Sequence, residues 1–391
     1  MKICALIAEY NPFHLGHLKH INYIKKELGA EKVIVIMSGN FTQRGEIAVL
    51  NKFTRAKHAI MSGADAVIEL PTVFATANAE VFAKGSIKIL NSLGCVDGLC
   101  FGTESGEKED FIKLAKILNS ESKEYKLELK NQLDSGISLA KAKYQTAQAL
   151  LKDSIDENIM KTPNNILAIE YSKAILEQNS AIELFPMKRT GNHNDKNLRR
   201  GETSASSIRE QLKIGKKRKL KPCLPPYVYK DLKPYPYAID KILMSSILTK
   251  SATELEKTPD CTEGLENRIK ALSKETKIVE SLIEKVSTKR YTLSRIRRIL
   301  LASFLGITKD FTKECLKSPM YAKLLAVKEE SKDIISTLCE NSSIPILTRK
   351  SDTSKLKKTA KESYEIDIIA NDIYNLVNGE NTNENFVLQI K

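Results

Sequence analysis

A short apolar run, Ile3 to Ala8, ends in Glu9-Tyr10-Asn11-Pro12-Phe13-His14-Leu15-Gly16-His17-Leu18. No other stretch constrains the fold as tightly. Six apolar residues closed by Glu9, Asn11 and Pro12 are too short for a helix and suit a central parallel strand. Pro12 holds Asn11 extended, and Gly16, lacking a Cβ, lets an oxyanion approach the backbone. From Gly16 onward His17, His20, Ile21 and Ile24 recur at helical spacing. A helix starting there turns unpaired N–H groups and a positive dipole end toward the carboxyl edge of the strand. His14 and His17 flank that point, and imidazoles can donate to phosphoryl oxygens. Strand, turn, HxGH and helix together indicate a nucleoside triphosphate grip.

The first half of the chain alternates strand and helix signals. Strands are expected at 3–8, 32–37, 65–70, 97–101 and 181–187, and helices at 16–28, 51–62, 78–92 and 107–118, with further helices near 123–151 and 163–178. This order predicts an α/β fold, a doubly wound parallel Rossmann-like sheet, whose ligands bind beyond the strand carboxyl ends. Three loops fall there: Ser38-Gly39-Asn40-Phe41-Thr42-Gln43-Arg44-Gly45, Gly102-Thr103-Glu104, and the helix opening Thr203-Ser204-Ala205-Ser206-Ser207-Ile208-Arg209. Small hydroxyl residues there supply an N-cap, and Arg209 sits where it could fork onto a phosphate. Beyond the proline-rich stretch Pro222 to Pro236 helical periodicity dominates, so two domains are expected: 1–222, nucleotide-binding, and 223–391, mostly helical.

With 391 residues, ordinary apolar content, no secretory h-region and no membrane-length apolar run, the sequence reads as cytoplasmic. Seven scattered cysteines without a CxxC support neither a disulfide framework nor zinc, and no metal-ligand set is read from the residues. The net charge of +14 is uneven. Residues 199–233 hold eleven Lys or Arg, among them Lys216, Lys217, Arg218 and Lys219, against three acids; Lys289, Arg290, Arg295, Arg297 and Arg298 share residues 287–298 with no acid. Concentrated positive charge points to a polyanion such as RNA, although surface lysines also serve solubility alone.

HxGH followed by Ser206-Ser207-Ile208-Arg209 resembles the HIGH-type nucleotidyltransferase superfamily. Within it the chain is similar to the tRNA(Met) cytidine acetate ligase family. The likeness rests on Ala8–His17, Ser38–Gly45, Gly63-Ala-Asp-Ala-Val-Ile-Glu-Leu-Pro71, Phe101–Glu104, Thr162-Pro-Asn-Asn-Ile-Leu167, Ser204–Arg209 and Tyr291-Thr-Leu-Ser-Arg-Ile-Arg-Arg298. The resemblance implies ATP-dependent activation of acetate as acetyl-adenylate, then acetyl transfer to the exocyclic amine of the wobble cytidine of elongator tRNA(Met). It implies His14 and His17 as the groups stabilising the α- and β-phosphates, with Mg²⁺ expected alongside ATP and few protein ligands to it. ATP contacts carry over to Ile7, Ala8, Glu9, Tyr10, Asn11, Pro12, Phe13, His14, Leu15, Gly16, His17, Leu18, Lys19, His20, Gly102, Asn164 or Asn165, Arg189 and Thr190, joined by Ser206 and Arg209. Plainer roles fit some of these equally well: a turn glycine at Gly102, a helix cap at Asn165, a surface cation at Arg189.

The polar loop residues Ser38, Gly39, Asn40, Gln43 and Arg44 are assigned to an acetate and base pocket, against the alternative of ordered scaffold. The two basic clusters are assigned to tRNA. Thr103 stands where the family usually has serine, Ala168 where it has glycine, and the Thr190–Asp195 stretch is short around His193. Two rival functions share the motifs: a small-molecule adenylyltransferase of cofactor biosynthesis, which leaves the basic clusters unexplained, and a non-catalytic nucleotide- and RNA-binding protein.

Overall fold

The structure, a computed structural model, describes residues 1–120, 122–137, 139–151, 157–189, 203–236, 238–384 and 387–391. Thr190, His193, Arg199 and Arg200 lie outside the described residues.

Five of its strands are those expected: β1 (Ile3–Ala8), β2 (Lys32–Ser38), β3 (Ala66–Leu70), β4 (Gly98–Thr103) and β5 (Glu183–Lys188). They run parallel in the order β5-β4-β1-β2-β3. The central strands are buried on both faces, which is why they read as continuous apolar runs rather than alternating ones. Helices α1 (Leu15–Lys26) and α2 (Lys52–Met61), with Ala79–Leu93 and Lys108–Ser120, supply the crossovers. Successive strands move from β1 toward β3 and then, after the return to β4, toward β5. The reversal lies between β1 and β4, so a crevice opens beyond their carboxyl ends, at Ala8-Glu9 and Thr103-Glu104.

The remaining strands change the expected division of the chain. Residues 239–317 form a helical body that includes Ile239–Thr249, Leu265–Glu275, Val279–Val286 and Leu293–Phe304. The chain then re-enters the sheet. Strand β6 (Ala322–Lys328) pairs antiparallel with β3, and β7 (Ile346–Leu347) and β8 (Leu388–Ile390) pair parallel with β6. The sheet is therefore mixed and mainly parallel, and it crosses the 222/223 boundary drawn from sequence. The reason is propensity: Ala-Lys-Leu-Leu-Ala-Val-Lys is rich in good helix formers, and burial on both faces, not alternation, makes it a strand.

Charged groups lock this return. Lys52 on α2 meets Glu69 of β3 at 2.8 Å and also pairs with Glu384, while Lys323 of β6 pairs with Glu69 at 3.3 Å and with Glu384. All four side chains are at most 7 % exposed. Beside them Asp367 of the helix Lys358–Asn378 receives the Thr72 N–H at 2.7 Å and the Tyr321 hydroxyl. Its carboxyl is raised to about 6, by burial first and by the Glu69 charge second. Asn40 Nδ2 donates to Asn371 Oδ1 at 2.9 Å, so the loop after β2 rests on that same helix.

Candidate active site

Beyond the carboxyl ends of β1 and β4 lies a cavity of about 840 Å³. One wall is the HxGH turn. His14 is the N-cap of α1, its Nδ1 accepting the Gly16 N–H at 3.0 Å, and His17 Nδ1 accepts the His14 N–H at 3.2 Å. The two histidines thus form a reciprocal capping box in place of the usual hydroxyl and carboxylate. With both Nδ1 atoms accepting, each neutral ring carries its proton on Nε2. The rings stack with centroids 3.7 Å apart, and Tyr10 and Phe13 pack against His17 at 4.8 and 5.5 Å. Burial, then the neighbouring His14, Arg189 and His20, lowers the His17 pKa well below the usual histidine value. His20, whose Nε2 lies 3.2 Å from Cys100 Sγ, is lowered to about 4, by burial and then by Arg189. The wall therefore presents neutral N–H donors.

Of residues 7–20, the cavity is lined by Ile7, Ala8, Glu9, Tyr10, Asn11, His14, Gly16, His17 and His20. Pro12, Phe13, Leu15, Leu18 and Lys19 are not on its surface, because Phe13 enters the core and helical periodicity turns the last three away. Gly102, Asn164 and Arg189 line it as well. A Cβ on Gly102 would come within 3.1 Å of Arg189 Cδ, so the bare glycine lets the arginine lie across β4. Asn165 is fully buried instead, with Oδ1 accepting the Glu104 N–H at 2.9 Å, while Asn164 Nδ2 donates to Glu104 Oε1 at 2.6 Å. Glu104 thereby fixes the start of the helix Pro163–Glu177.

The opposite wall is assembled from distant segments. Gln43, Arg44 and Glu46 come from the loop after β2, Ser206 and Arg209 from the helix Ala205–Lys213, and Thr292, Ser294, Arg297 and Arg298 from the helical body. Arg44 Nη1 donates to Ser206 Oγ at 3.2 Å, and Arg209 Nη1 to the Asn11 carbonyl at 2.9 Å. Glu46 Oε2 lies 3.1 Å from Arg209 Nε, and Oε1 lies 4.0 Å from Arg297 Nη1. Although burial pushes the Glu46 carboxyl up, Arg209, Arg297, Lys213 and Arg44 leave it lowered overall. Gly45, at φ +73°, seats this loop on the helical body: a Cβ there would lie 2.6 Å from both Arg297 C and Arg298 N.

The pocket residues expected in the loop after β2 divide. Gln43 and Arg44 reach the cavity; Ser38, Gly39 and Asn40 do not, because Ser38 and Gly39 are held by Arg55, and Asn40 by the Lys52 N–H and Asn371. That fully buried arginine donates to the carbonyls of Glu9 at 2.6 Å, Ser38 at 3.1 Å and Gly39, joining the ends of β1 and β2. The second basic cluster divides too. Arg297 and Arg298 face the cavity, whereas Arg295 donates to the Asp260 carbonyl at 2.8 Å and exposed Arg290 pairs with Glu263 at 2.7 Å. Arg298 is itself held by Asp260 Oδ2 at 3.0 Å, and Arg297 by Glu280 at 2.6 Å. A cluster without acids in sequence acquires them from 260, 263 and 280 in space. Lys216, Arg218 and Lys219 are exposed, and Lys217 donates to the Leu232 carbonyl.

The sequence reading missed Arg55, Glu46 and the apolar cavity side formed by Phe82, Phe101, Leu167 and Tyr171. Glu46 directly follows the loop that was singled out, and Phe101 and Leu167 lie at the ends of two of the quoted motifs; Arg55, Phe82 and Tyr171 carry no local signal. All seven cysteines are free thiols, and Cys339 is exposed. Among the described residues no cluster of three or more His, Cys, Asp or Glu is poised for a metal ion, and no helix is long and apolar enough to cross a membrane.

Known proteins resemble the whole of this chain. A profile of the HIGH Nucleotidyl Transferase family matches residues 1–387. Proteins named tRNA(Met) cytidine acetate ligase are similar along nearly the whole chain: one from Clostridium novyi is 38 % identical, covering 97 % of this chain and 96 % of its own, and one from Acetivibrio thermocellus is 37 % identical, covering 96 % and 94 %. The chain belongs to the tRNA(Met) cytidine acetate ligase family. Among solved structures, Thermotoga maritima TmcAL in an apo form superposes with a TM-score of 0.93 at 30 % identity, covering all of both chains. The same protein bound with alpha-thio ATP gives 0.91 at 29 % identity, again over both entire chains. The superposition covers the sheet and the helical body together.

Proposed function

We propose that the chain activates acetate with ATP and transfers the acetyl group to the exocyclic amine of the wobble cytidine of elongator tRNA(Met), giving N4-acetylcytidine. In the first step an acetate oxygen attacks the α-phosphorus, the bond to the bridging oxygen breaks, and pyrophosphate leaves. In the second the cytidine amine attacks the acetyl carbon, the carbon–oxygen bond to AMP breaks, and the amine proton passes to solvent. The observation that carries the reading is the pair of neutral histidines at the N-terminus of α1, inside a cavity large enough for more than a nucleotide. Relatives so named, matching nearly full length, support the same assignment.

His14 and His17 each offer an Nε2 donor where charge develops on the α- and β-phosphates, and the α1 N-terminus adds its field. Because His17 stays neutral, it donates without being a proton source. Arg44 and Arg209, gathered on Ser206, face the departing pyrophosphate from the opposite wall. Phe82, Phe101, Leu167 and Tyr171 give the adenine ring an apolar side, and Asn164 and Arg189 flank it. No enzymic nucleophile is needed. Mg²⁺ fits as an ion carried by the triphosphate: the lining carboxylates are Glu9, which accepts the Gln43 N–H at 2.8 Å, and Glu46, which stands among the cations Arg209 and Arg297. Bound there, with Glu9 alongside, it would offset phosphate charge. Exposed Lys216, Arg218, Lys219 and Arg290 suit tRNA phosphates. ATP and tRNA as substrates place the work in the cytoplasm.

The test is incubation with ATP, labelled acetate and elongator tRNA(Met). Acetate-dependent AMP and acetylcytidine are expected; pyrophosphate exchange without acetylated tRNA would favour the small-molecule adenylyltransferase instead.

A further inference from the structure

The acceptor side of this reaction needs a base to be chosen, and one corner of the cavity has the groups to choose it. Glu46 and Arg297 approach from different segments, with Oε1 and Nη1 4.0 Å apart. That is too far for them to bond each other and close enough to serve neighbouring positions on one base. Glu46 Oε2 is buried beside Arg209 Nε at 3.1 Å, whereas Oε1, the atom nearer Arg297, makes no hydrogen bond among the described residues and is not buried, so the carboxylate retains acceptor capacity at Oε1. Arg297 is anchored through Nη2 to Glu280 at 2.6 Å, which leaves Nη1 as the end nearer Glu46. Gly45, packed directly on the Arg297–Arg298 backbone, fixes the register between acceptor and donor.

We propose that Glu46 and Arg297 read the Watson–Crick edge of the acceptor cytosine, Glu46 accepting from the N4 amine and Arg297 donating to N3. The inference rests on the reading that the acyl acceptor is a cytidine. Cytosine presents a donor at N4 and an acceptor at N3; uracil presents an acceptor at O4 and a donor at N3, and both clash with this pair. A carboxylate held ionised by three arginines and a lysine cannot switch to donating toward O4. The other lining carboxylate, Glu9, already accepts a backbone N–H, and the cations on this wall are otherwise committed to Ser206 and Asp260. The same contact holds the amine in place for attack, so recognition and reactivity share one hydrogen bond.

The test uses the full chain and two tRNA(Met) transcripts differing only in a wobble cytidine or uridine. Binding of each is measured by competition, and acetate-dependent pyrophosphate exchange separately without tRNA. The wild-type protein is expected to prefer the cytidine transcript roughly tenfold or more. In Glu46→Gln the preference falls to within about twofold, and acetylation drops by a larger factor than exchange. If Glu46→Gln instead keeps the preference and lowers exchange and acetylation by one common factor, Glu46 only places Arg209 and the proposal is overturned. Should that variant fail to fold, Arg297→Ala decides: lost preference supports the reading, retained preference overturns it. Failure of the proposed function has a different signature, since it removes wild-type exchange and acetylation whatever the transcripts' binding ratio.

Discussion

The two walls of the cavity are built in opposite ways. The HxGH wall is local: the residues that place His14 and His17 are their own neighbours, through two backbone N–H groups and the rings of Tyr10 and Phe13. The arginine wall is not. Its loop, its Ser206–Arg209 helix and its helical body meet only after the chain has folded, and Glu46 and Gly45 hold the joint. A locally built wall is set by cap geometry and tolerates change elsewhere; an assembled wall fails when any contributor shifts by an ångström.

The largest effect should come from removing a donor on the local wall. His17→Ala is expected to lower acetate-dependent pyrophosphate exchange roughly 10²- to 10³-fold, the usual loss when one preorganised donor disappears. His14→Asn separates the two duties of that residue. Asparagine is a good N-cap, so the melting free energy should stay within about 1 kcal/mol while exchange falls as in His17→Ala. A His14→Asn protein with nearly normal exchange would mean that the cap, and not the imidazole donor, is what the reaction requires.

On the assembled wall Gly45→Ala should cost about 1–3 kcal/mol, from the positive φ and the clash with Arg297 and Arg298, and should raise KM for ATP several-fold. Chemical denaturation paired with a KM measurement checks both, and an unchanged KM would show that the two segments work independently. A smaller effect follows from His20. Its folded pKa of about 4 lies below the unfolded value, so its contribution is intact above about pH 6.5 and is lost as pH falls toward 4. A His20→Gln protein should show a shallower loss of melting temperature across that window. Least of all, Arg290→Glu on the exposed rim should change stability by no more than about 0.5 kcal/mol and only slightly reduce the salt dependence of tRNA binding.

This asymmetry also explains what was legible in the sequence. The five parallel strands and the HxGH cap announce themselves because each depends on near neighbours, and so a ligand could be expected beyond the strand carboxyl ends; the β1/β4 reversal that makes the cavity depends on strand order, which has no local signal. Ser38, Gly39 and Asn40 looked like pocket residues because a polar loop beyond a strand end usually is one; the Arg55 guanidinium that claims the carbonyls of Ser38 and Gly39, and the Asn371 that pairs with Asn40, have no periodic signature. Arg295 and Arg298 looked like free cations because Asp260 stands far off along the chain. Strand β6 looked helical because composition favours a helix, and only its pairing to β3 decides otherwise.

The buried charges around Lys52 have a bearing on how the molecule comes into being. Asn40 waits for Asn371, a partner 331 positions later, and Lys52 waits for Glu384. The loop that carries Gln43, Arg44 and Glu46 therefore rests on partners far along the chain, whereas the histidine turn is held by near neighbours. Removing the helix Lys358–Asn378 and Glu384 would take away the partners of Asn40 and Lys52 while leaving every residue of the histidine turn in the chain. The assembled wall is thus completed only by residues near position 384, long after the histidine turn in chain order.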